Sequence, residues 1–422
     1  MSQSEEVTRS EPPRAPRAPH RPAESPALAA FGRRNRRHNA VYAAVIVVVA
    51  VVATLAVWIA YAHGELDAVT SVTAPSPAAV PSGTPATTLS RDWTSPEQPA
   101  VGQPYHDGIV VTWSGHTVNG RDALTGAVRW HYSKSDEALC AVVQQDATTI
   151  ALYRRDGNCD QVTGIVTATG EPKWWRTLTD DGPLDLSATS NVVLAVSATT
   201  VHDFDNYGGL DRWVYTAAAG CRIDRALGGS DGVLIGYHCG SAYHLAMHDL
   251  TSNAEKPNFD VAVTERYVPV AAGTILAVAS ARTGEVHAVD SKSGKVGAAL
   301  TVAAADAVRA ALPGLPRSQT TVQASTADNR AFELIRLGDQ DYALGSSGNT
   351  VWRATAAGPA TSDGSTVWLA TSSGLEQRDL ADGRVRLIST VSPTPSGLGP
   401  EITATAFGSR VLLSGEQLAC FG

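Results

Sequence analysis

A segment that returns seven times along the chain leaves it few folds to adopt. "DALTGAVRWHY", beginning at Asp122, is its clearest copy. Variants begin at Thr167 ("TATGEPKWWRTL"), Phe204 ("FDNYGGLDRWVY"), Asp249 ("DLTSNAEKPNFDV"), Asp290 ("DSKSGKVGAAL"), Gly345 ("GSSGNTVWRAT") and Asp379 ("DLADGRVRLIS"). Each sets an Asp or small polar residue before a Gly or Asn turn, then an alternating strand with a large apolar anchor. The anchors fall at Trp130, Trp175, Trp213, Phe259, Leu300, Trp352 and Leu387. Most copies follow a second alternating pair, such as "GIVVTWSGHTVNGRD" from Gly108, so one repeat holds about four strands.

The anchors are spaced by roughly forty residues on average, the period of a four-stranded propeller blade. Gly126 stands where a short hairpin loop needs positive φ, which a Cβ would resist. Asp122 is placed to accept from the loop amides as an Asx-turn. Trp130, on the outermost strand, is large enough to wedge between sheets and bury about 150–250 Å². The last unit, Ala404 to Phe421, stops before any turn and outer strand. The missing piece lies at Thr87 to Pro96, with Trp93 as anchor. The N-terminal strand is therefore expected to close the ring and remove its free edges. The expected fold is all-β: an eight-bladed propeller over 87–422, of four-stranded antiparallel blades, preceded by one transmembrane α-helix. Seven blades is the alternative if the weak units at Asp249 and Asp290 are misread.

The D-x-x-[TS]-G-x-x-x-W pattern resembles the tryptophan-docking repeat of quinoprotein-type (PQQ-like) β-propellers. That family includes alcohol dehydrogenases using pyrroloquinoline quinone and propeller lipoproteins of outer-membrane assembly. The resemblance covers about 90 to 422, and its best copies begin at Asp122, Thr167 and Asp379. It implies blade-docking roles for Trp93, Trp130, Trp175, Trp213 and Trp352. An anchored, Ala/Val-rich chain of this kind also resembles actinobacterial membrane proteins of the same repeat class. The dehydrogenases of the family are much longer, with an adjacent Cys-Cys pair over the cofactor and a calcium held by Glu, Asn and Asp. This chain has no Cys-Cys pair, and no such carboxylate set stands out. The resemblance therefore implies the fold and no activity.

Ahead of the repeats, Ala40 to Ala62 carries no charged residue. About 23 residues at 1.5 Å each give roughly 34 Å of helix, enough for a hydrocarbon core of about 30 Å. Residues 1–38 hold eight Arg and four Glu, a balance of +4, which leaves −12 on the remainder of a chain whose net charge is −8. Arg33, Arg34, Arg36 and Arg37 precede the span, and no Lys or Arg follows it before Arg91. By the positive-inside rule the tail, 1–38, is cytoplasmic and disordered, 39–63 spans the membrane, and the propeller lies outside the cell. A cleaved signal peptide is the rival reading, opposed by the long n-region and the long apolar run. The Pro/Ser/Thr-rich stretch 64–86 is expected to be a semi-rigid spacer. The acidic body argues against nucleic acid as partner.

All five cysteines follow the span, in a compartment that permits disulfides. Cys140 lies ten residues after Trp130, and Cys221 lies eight after Trp213. The next cysteines follow at 19 and 18 residues. This match in repeat phase predicts the bridges Cys140–Cys159 and Cys221–Cys239 and leaves Cys420 as a buried free thiol. "HCGSAYHLAMH" puts His238, His244 and His248 near Cys239, but no carboxylate partner is evident, so strand and loop histidines are expected rather than metal ligands. Gly228-Gly229-Ser230-Asp231-Gly232 matches G-x-S-x-G formally, yet it links two strands, whereas a nucleophile elbow needs a strand-to-helix turn. The longest insertion, Ala303 to Gln319, begins as an Ala-rich helix and breaks at Pro313. Val308, Leu312, Leu315 and Arg317 are its candidate partner-contact residues. These readings lead to a non-catalytic scaffold or sensor that uses no cofactor, anchored in the cell envelope and binding an envelope protein or wall component. The alternative is a small-ligand binder or quinone-dependent oxidoreductase using the central channel.

Overall fold

The computed structural model describes residues 42–55, 57, 68–75 and 78–422, except 179–181, 189–192, 231, 251–256, 303–304, 321, 327–328, 372–373, 393–396 and 400. The chain divides into two compact units, Met1–Asp67 and Ala68–Gly422. In the first, residues 42–55 are helical (α1) with their apolar side chains exposed. No helix among the described residues is long and apolar enough to cross a membrane. The Arg-rich tail and much of the expected span lie outside the described residues.

The second unit is built of short strands. It opens with β1 (Val69–Val72) and β2 (Thr88–Ser95). The fragments β3 (Gln98–Pro99), β4 (Val101–Gly102) and β5 (Tyr105–His106) lead into β6 (Ile109–Ser114), β7 (Thr117–Asp122) and β8 (Val128–Lys134). β3 and β5 pair with β6, whereas β4 leaves this sheet and pairs in parallel with the next one. Four antiparallel sheets follow. The first is β9 (Ala138–Gln145), β10 (Thr148–Arg155), β11 (Asn158–Val166) and β12 (Pro172–Thr177). The second is β13 (Asp185–Ala188), β14 (Val193–Val196), β15 (Thr200–Phe204) and β16 (Asp211–Thr216). The third is β17 (Cys221–Gly228), β18 (Val233–Cys239), β19 (Ala242–His248) and β20 (Phe259–Val263). The fourth is β21 (Tyr267–Ala272), β22 (Leu276–Ser280), β23 (Val286–Val289) and β24 (Val296–Ala299).

A helix, α2 (Ala305–Ala311), a 3-10 turn (Leu312–Gly314) and β25 (Ser318–Thr320) precede the next sheet, formed by β26 (Val322–Ser325), β27 (Ala331–Leu337), β28 (Gln340–Gly345) and β29 (Thr350–Thr355). The last sheet has eight strands. β30 (Thr361–Ser362), β31 (Thr366–Thr371), β32 (Gly374–Asp379) and β33 (Val385–Ser392) form one half. β34 (Thr403–Phe407), β35 (Arg410–Ser414) and β36 (Leu418–Phe421) form the other, completed by β2. β2 joins the halves: Thr88–Ser90 run parallel to Thr390–Ser392 of β33, and Arg91–Ser95 run antiparallel to β36. The expected closing strand is thus in place, with Trp93 opposite Cys420.

Successive sheets touch through their inner strands, as β9 with β13, β17 with β21 and β26 with β30. Apolar clusters fill the space between neighbours. Val142, Ala151 and Tyr153 of one sheet pack with Val111, Val118 and Trp130 of the sheet before it. The first and last strand sets meet in the same way, through Val110 and Ala123 against Phe407, Leu412, Leu418 and Cys420. Alternation within each strand supplies both faces, so each sheet is covered on both sides.

Part of the stretch expected to be a semi-rigid spacer packs on this ring. β1 extends the outer edge of β8, with Val69 opposite Lys134 and Val72 opposite His131. Ala74 and Ala78 are buried, and the Ala74 amide donates to Thr169 O at 2.8 Å. The small, Pro-rich residues that suit a spacer also let a chain lie flat on a surface.

Candidate functional site

The tryptophans form joints between sheets. The Trp130 indole N–H donates to Thr167 O at 2.8 Å, in the turn of the next sheet. Trp93 donates to Ala123 O at 3.0 Å and Trp352 to Leu380 O at 2.8 Å. In each case the acceptor lies at the start of the repeated turn. The turn glycine provides the floor. A Cβ on Gly126, whose φ is +72°, would sit 2.7 Å from Trp93 Cδ2. Within its own sheet Trp130 lies opposite Gly120, where a Cβ would reach to 1.9 Å of the ring. Glycine is needed there because the indole lies flat across the neighbouring strand.

In the sheet of β9 to β12 the docking residue is Trp174, not Trp175. Trp174 donates to Asn206 O at 3.3 Å and rests against Gly209. Trp175 is 75% exposed. Trp174 stands four residues after the turn glycine Gly170, the same spacing as Gly126 to Trp130, and shares the bulge of that joint. Gly164 faces Trp174, Ile165 faces Pro172 and Lys173 is skipped, as Arg129 is skipped beside Trp130. The count from the turn glycine therefore marks Trp174, and Trp175 falls one residue beyond it. Trp213 is also buried, but it stacks on His248 with ring centroids 4.4 Å apart. Opposite it stands Asp203, where Trp130 and Trp174 have Gly120 and Gly164, and Trp352 has Ala343. Asp203 is fully buried with no hydrogen bond to either carboxylate oxygen. Burial pushes its pKa up to about 7, opposed by the charge of Arg212. Burial likewise takes His248 down to about 4.

Both expected disulfides are present. Cys221 and Cys239 face each other directly across β17 and β18, with Cα atoms 4.0 Å apart. Cys140 and Cys159 instead reach across β10, from β9 to β11, with Cα atoms 6.1 Å apart. Bulges on both sides of Tyr153 make this possible, skipping Cys140 on β9 and Asp160 on β11. Cys420 is a buried free thiol, its pKa pushed up to about 12 by burial.

The insertion between the Leu300 and Trp352 anchors turns inward. Val308 and Leu312 are buried in the core between β21–β24 and β27–β28, and Leu315 packs against it. Arg317 and the strand that follows cross to other sheets. The Arg317 amide donates to Asp185 Oδ2 at 2.9 Å, and Ser318 Oγ lies 2.6 Å from Ser187 Oγ. β25 then pairs in parallel with β17, Ala226 opposite Ser318. Val308 and Leu312 are thus packing residues, Leu315 is half-buried against the same core, and the i, i+4, i+7 stripe faces inward. β4 makes a similar excursion, pairing Val101 and Gly102 with Val143 and Gln144 on the inner edge of β9. Two pieces of the chain's own backbone therefore lie inside the ring.

One cavity among the described residues, of about 40 Å³, is lined by Arg225, Gln319, Arg336, Asp341 and apolar neighbours such as Val270 and Leu334. Burial with a weaker opposing pull from Arg336 raises Asp341 to about 6. His238, His244 and His248 do not converge. His238 pairs with Asp224 at 3.2 Å, His244 stacks on Tyr237 at 4.8 Å, and His248 is buried beside Trp213. Among the described residues no group of three His, Cys, Asp or Glu is placed to hold a metal. Gly229 and Gly232 close a tight turn between β17 and β18, with the Gly229 amide donating to Gly232 O at 3.0 Å; Asp231 lies outside the described residues.

No family model and no curated protein matches the chain. Among solved structures it is similar to the computationally designed Ika8 protein, with a TM-score of 0.51 and 12% identity over 80% of this chain and 99% of that one. BamB from Moraxella catarrhalis gives a TM-score of 0.45 at 13% identity, covering 79% of this chain and 99% of that one. The quinohemoprotein alcohol dehydrogenase ADHIIG from Pseudomonas putida HK5 gives 0.43 at 11%, covering 79% and 76%. At such identities the likeness concerns the fold alone. The chain is an all-β propeller.

Proposed function

We propose that the protein is an eight-bladed propeller, anchored in the cell membrane by the Ala40–Ala62 helix, that acts outside the cell as a protein-interaction scaffold or sensor. Six sheets and the two halves of the eight-stranded sheet support the count of eight blades. The course of β4 and β25 carries the functional part of the reading: two pieces of the chain's own backbone lie along the inner edges of β9 and β17, on the side where a channel ligand would have to sit. With Trp93, Trp130, Trp174 and Trp352 committed to joints, the outer surface is the candidate for recognition. Trp175 and Leu210 are the most exposed large apolar residues among those described beyond the helix, and Tyr207 is exposed as well.

Photo-crosslinking in intact cells tests this. A crosslinking side chain replacing Trp175 or Tyr207 in the full chain is expected to trap one envelope protein reproducibly, and the same replacement at buried Tyr342 to trap none. Stoichiometric binding of pyrroloquinoline quinone and calcium, with dye-linked alcohol oxidation, would replace the scaffold by the enzyme. Topology has its own check: a protease added outside cells should digest the propeller and spare the tail.

A further inference from the structure

We infer that the internal cavity is a binding site for one small monovalent anion, of halide or nitrate size, held by Arg225. The cavity lies beside a strand exchange. β25 (Ser318–Thr320) pairs with β17, whereas β26, from Val322, pairs with β27 from Ala331 to Leu334. Arg336, beyond that pairing on β27, and Asp341, near the start of β28, line the cavity with Arg225.

The charges at this place do not balance. Arg336 and Asp341 form a pair at 3.1 Å. Arg336 also donates to Gly358 O at 2.8 Å and Ala356 O at 3.2 Å, and Asp341 Oδ1 accepts from the Ala360 amide at 3.3 Å. Arg225, on β17, is only 4% exposed. Its guanidinium donates to Pro269 O at 2.7 Å and to Gln319 Oε1, both uncharged acceptors, and its Nε is buried without a partner. Among the described residues no carboxylate forms an ion pair with it. Glu333, buried on β27, has partners of its own. The cavity wall therefore carries one uncompensated positive charge.

A guanidinium does not shed its proton near neutral pH, and a buried, unpaired ion is costly. Arg225 lines the cavity, so an anion there offsets that cost. One charge calls for a monovalent ion. The size sets a second limit, since about 40 Å³ is room for roughly three water-sized probes at 10–15 Å³ each. Chloride and nitrate fit, and a sugar acid such as gluconate does not.

The test uses the full chain in detergent at constant ionic strength, exchanging sodium gluconate for sodium chloride. The expected result is a melting temperature that rises and saturates with chloride, together with excess ³⁵Cl relaxation that nitrate displaces. Both effects should vanish in Arg225→Met. A melting temperature indifferent to chloride, or the same saturable response in Arg225→Met, would overturn the site. If Arg225→Met does not fold, ³⁵Cl relaxation of the native chain decides: a nitrate-displaceable excess supports the site, and its absence refutes it.

Discussion

Trp174 and Trp175 are adjacent and identical in chemistry, yet one is a joint and the other lies on the surface. Truncating a buried aromatic removes its transfer energy and leaves a cavity, so Trp174→Ala should cost about 3–5 kcal/mol in denaturant unfolding. Trp175→Ala should fall within about 0.5 kcal/mol of the native chain. Equal losses would return the joint to Trp175. The distinction was legible in the spacing, since Trp174 follows Gly170 by the four residues that separate Trp130 from Gly126, and the anchor at Trp175 was counted one residue too far. Asp203 was not foreseen, because a carboxylate on an alternating strand reads as solvent-facing until the indole opposite it is known. Its folded pKa, about 7, lies above the unfolded value of 3.8. Between these values the folded state holds the proton more tightly, so this group's stabilisation is fully present below pH 3.8 and is lost as pH rises to about 7. Asp203→Asn should remove that dependence and raise the melting temperature at pH 8. A pH profile unchanged by the substitution would show that Asp203 is ionised without penalty.

At the scale of elements, the two disulfides were legible from repeat phase, but their geometries were not. A spacing of 19 against 18 does not reveal that one bridge links facing residues and the other reaches across a strand. Each closes a loop of about 20 residues, worth roughly 3 kcal/mol on the chain-entropy estimate. Cys140→Ala/Cys159→Ala and Cys221→Ala/Cys239→Ala should each lose about that much in urea unfolding. A loss near zero in either would mean the sheet alone holds those strand ends. The insertion at 303–319 shows the opposite limit. Its length suggested an external contact, although Val308, Leu312 and Leu315 already had the spacing of a buried stripe. Its inward course depends on Arg317 meeting Asp185, a partner 132 residues earlier, and no local pattern encodes that contact.

Across the whole molecule, the seven repeats and the incomplete last unit were enough to foresee a closed ring. Closure is a count, and a count survives errors of one residue in any strand. What fills the ring was hidden, because β4 and β25 are two- and three-residue strands with no periodicity of their own. The ring depends most on closure by β2, which brings Thr94 opposite Ala419. The most direct measurement is cysteine pairing between them, in Thr94→Cys/Ala419→Cys of the full chain, oxidised and mapped by peptide mass spectrometry. A linked pair of peptides from the two ends of one chain, with a raised melting temperature, is the predicted result. Free thiols at both positions, or links only between separate chains, would contradict the closed ring.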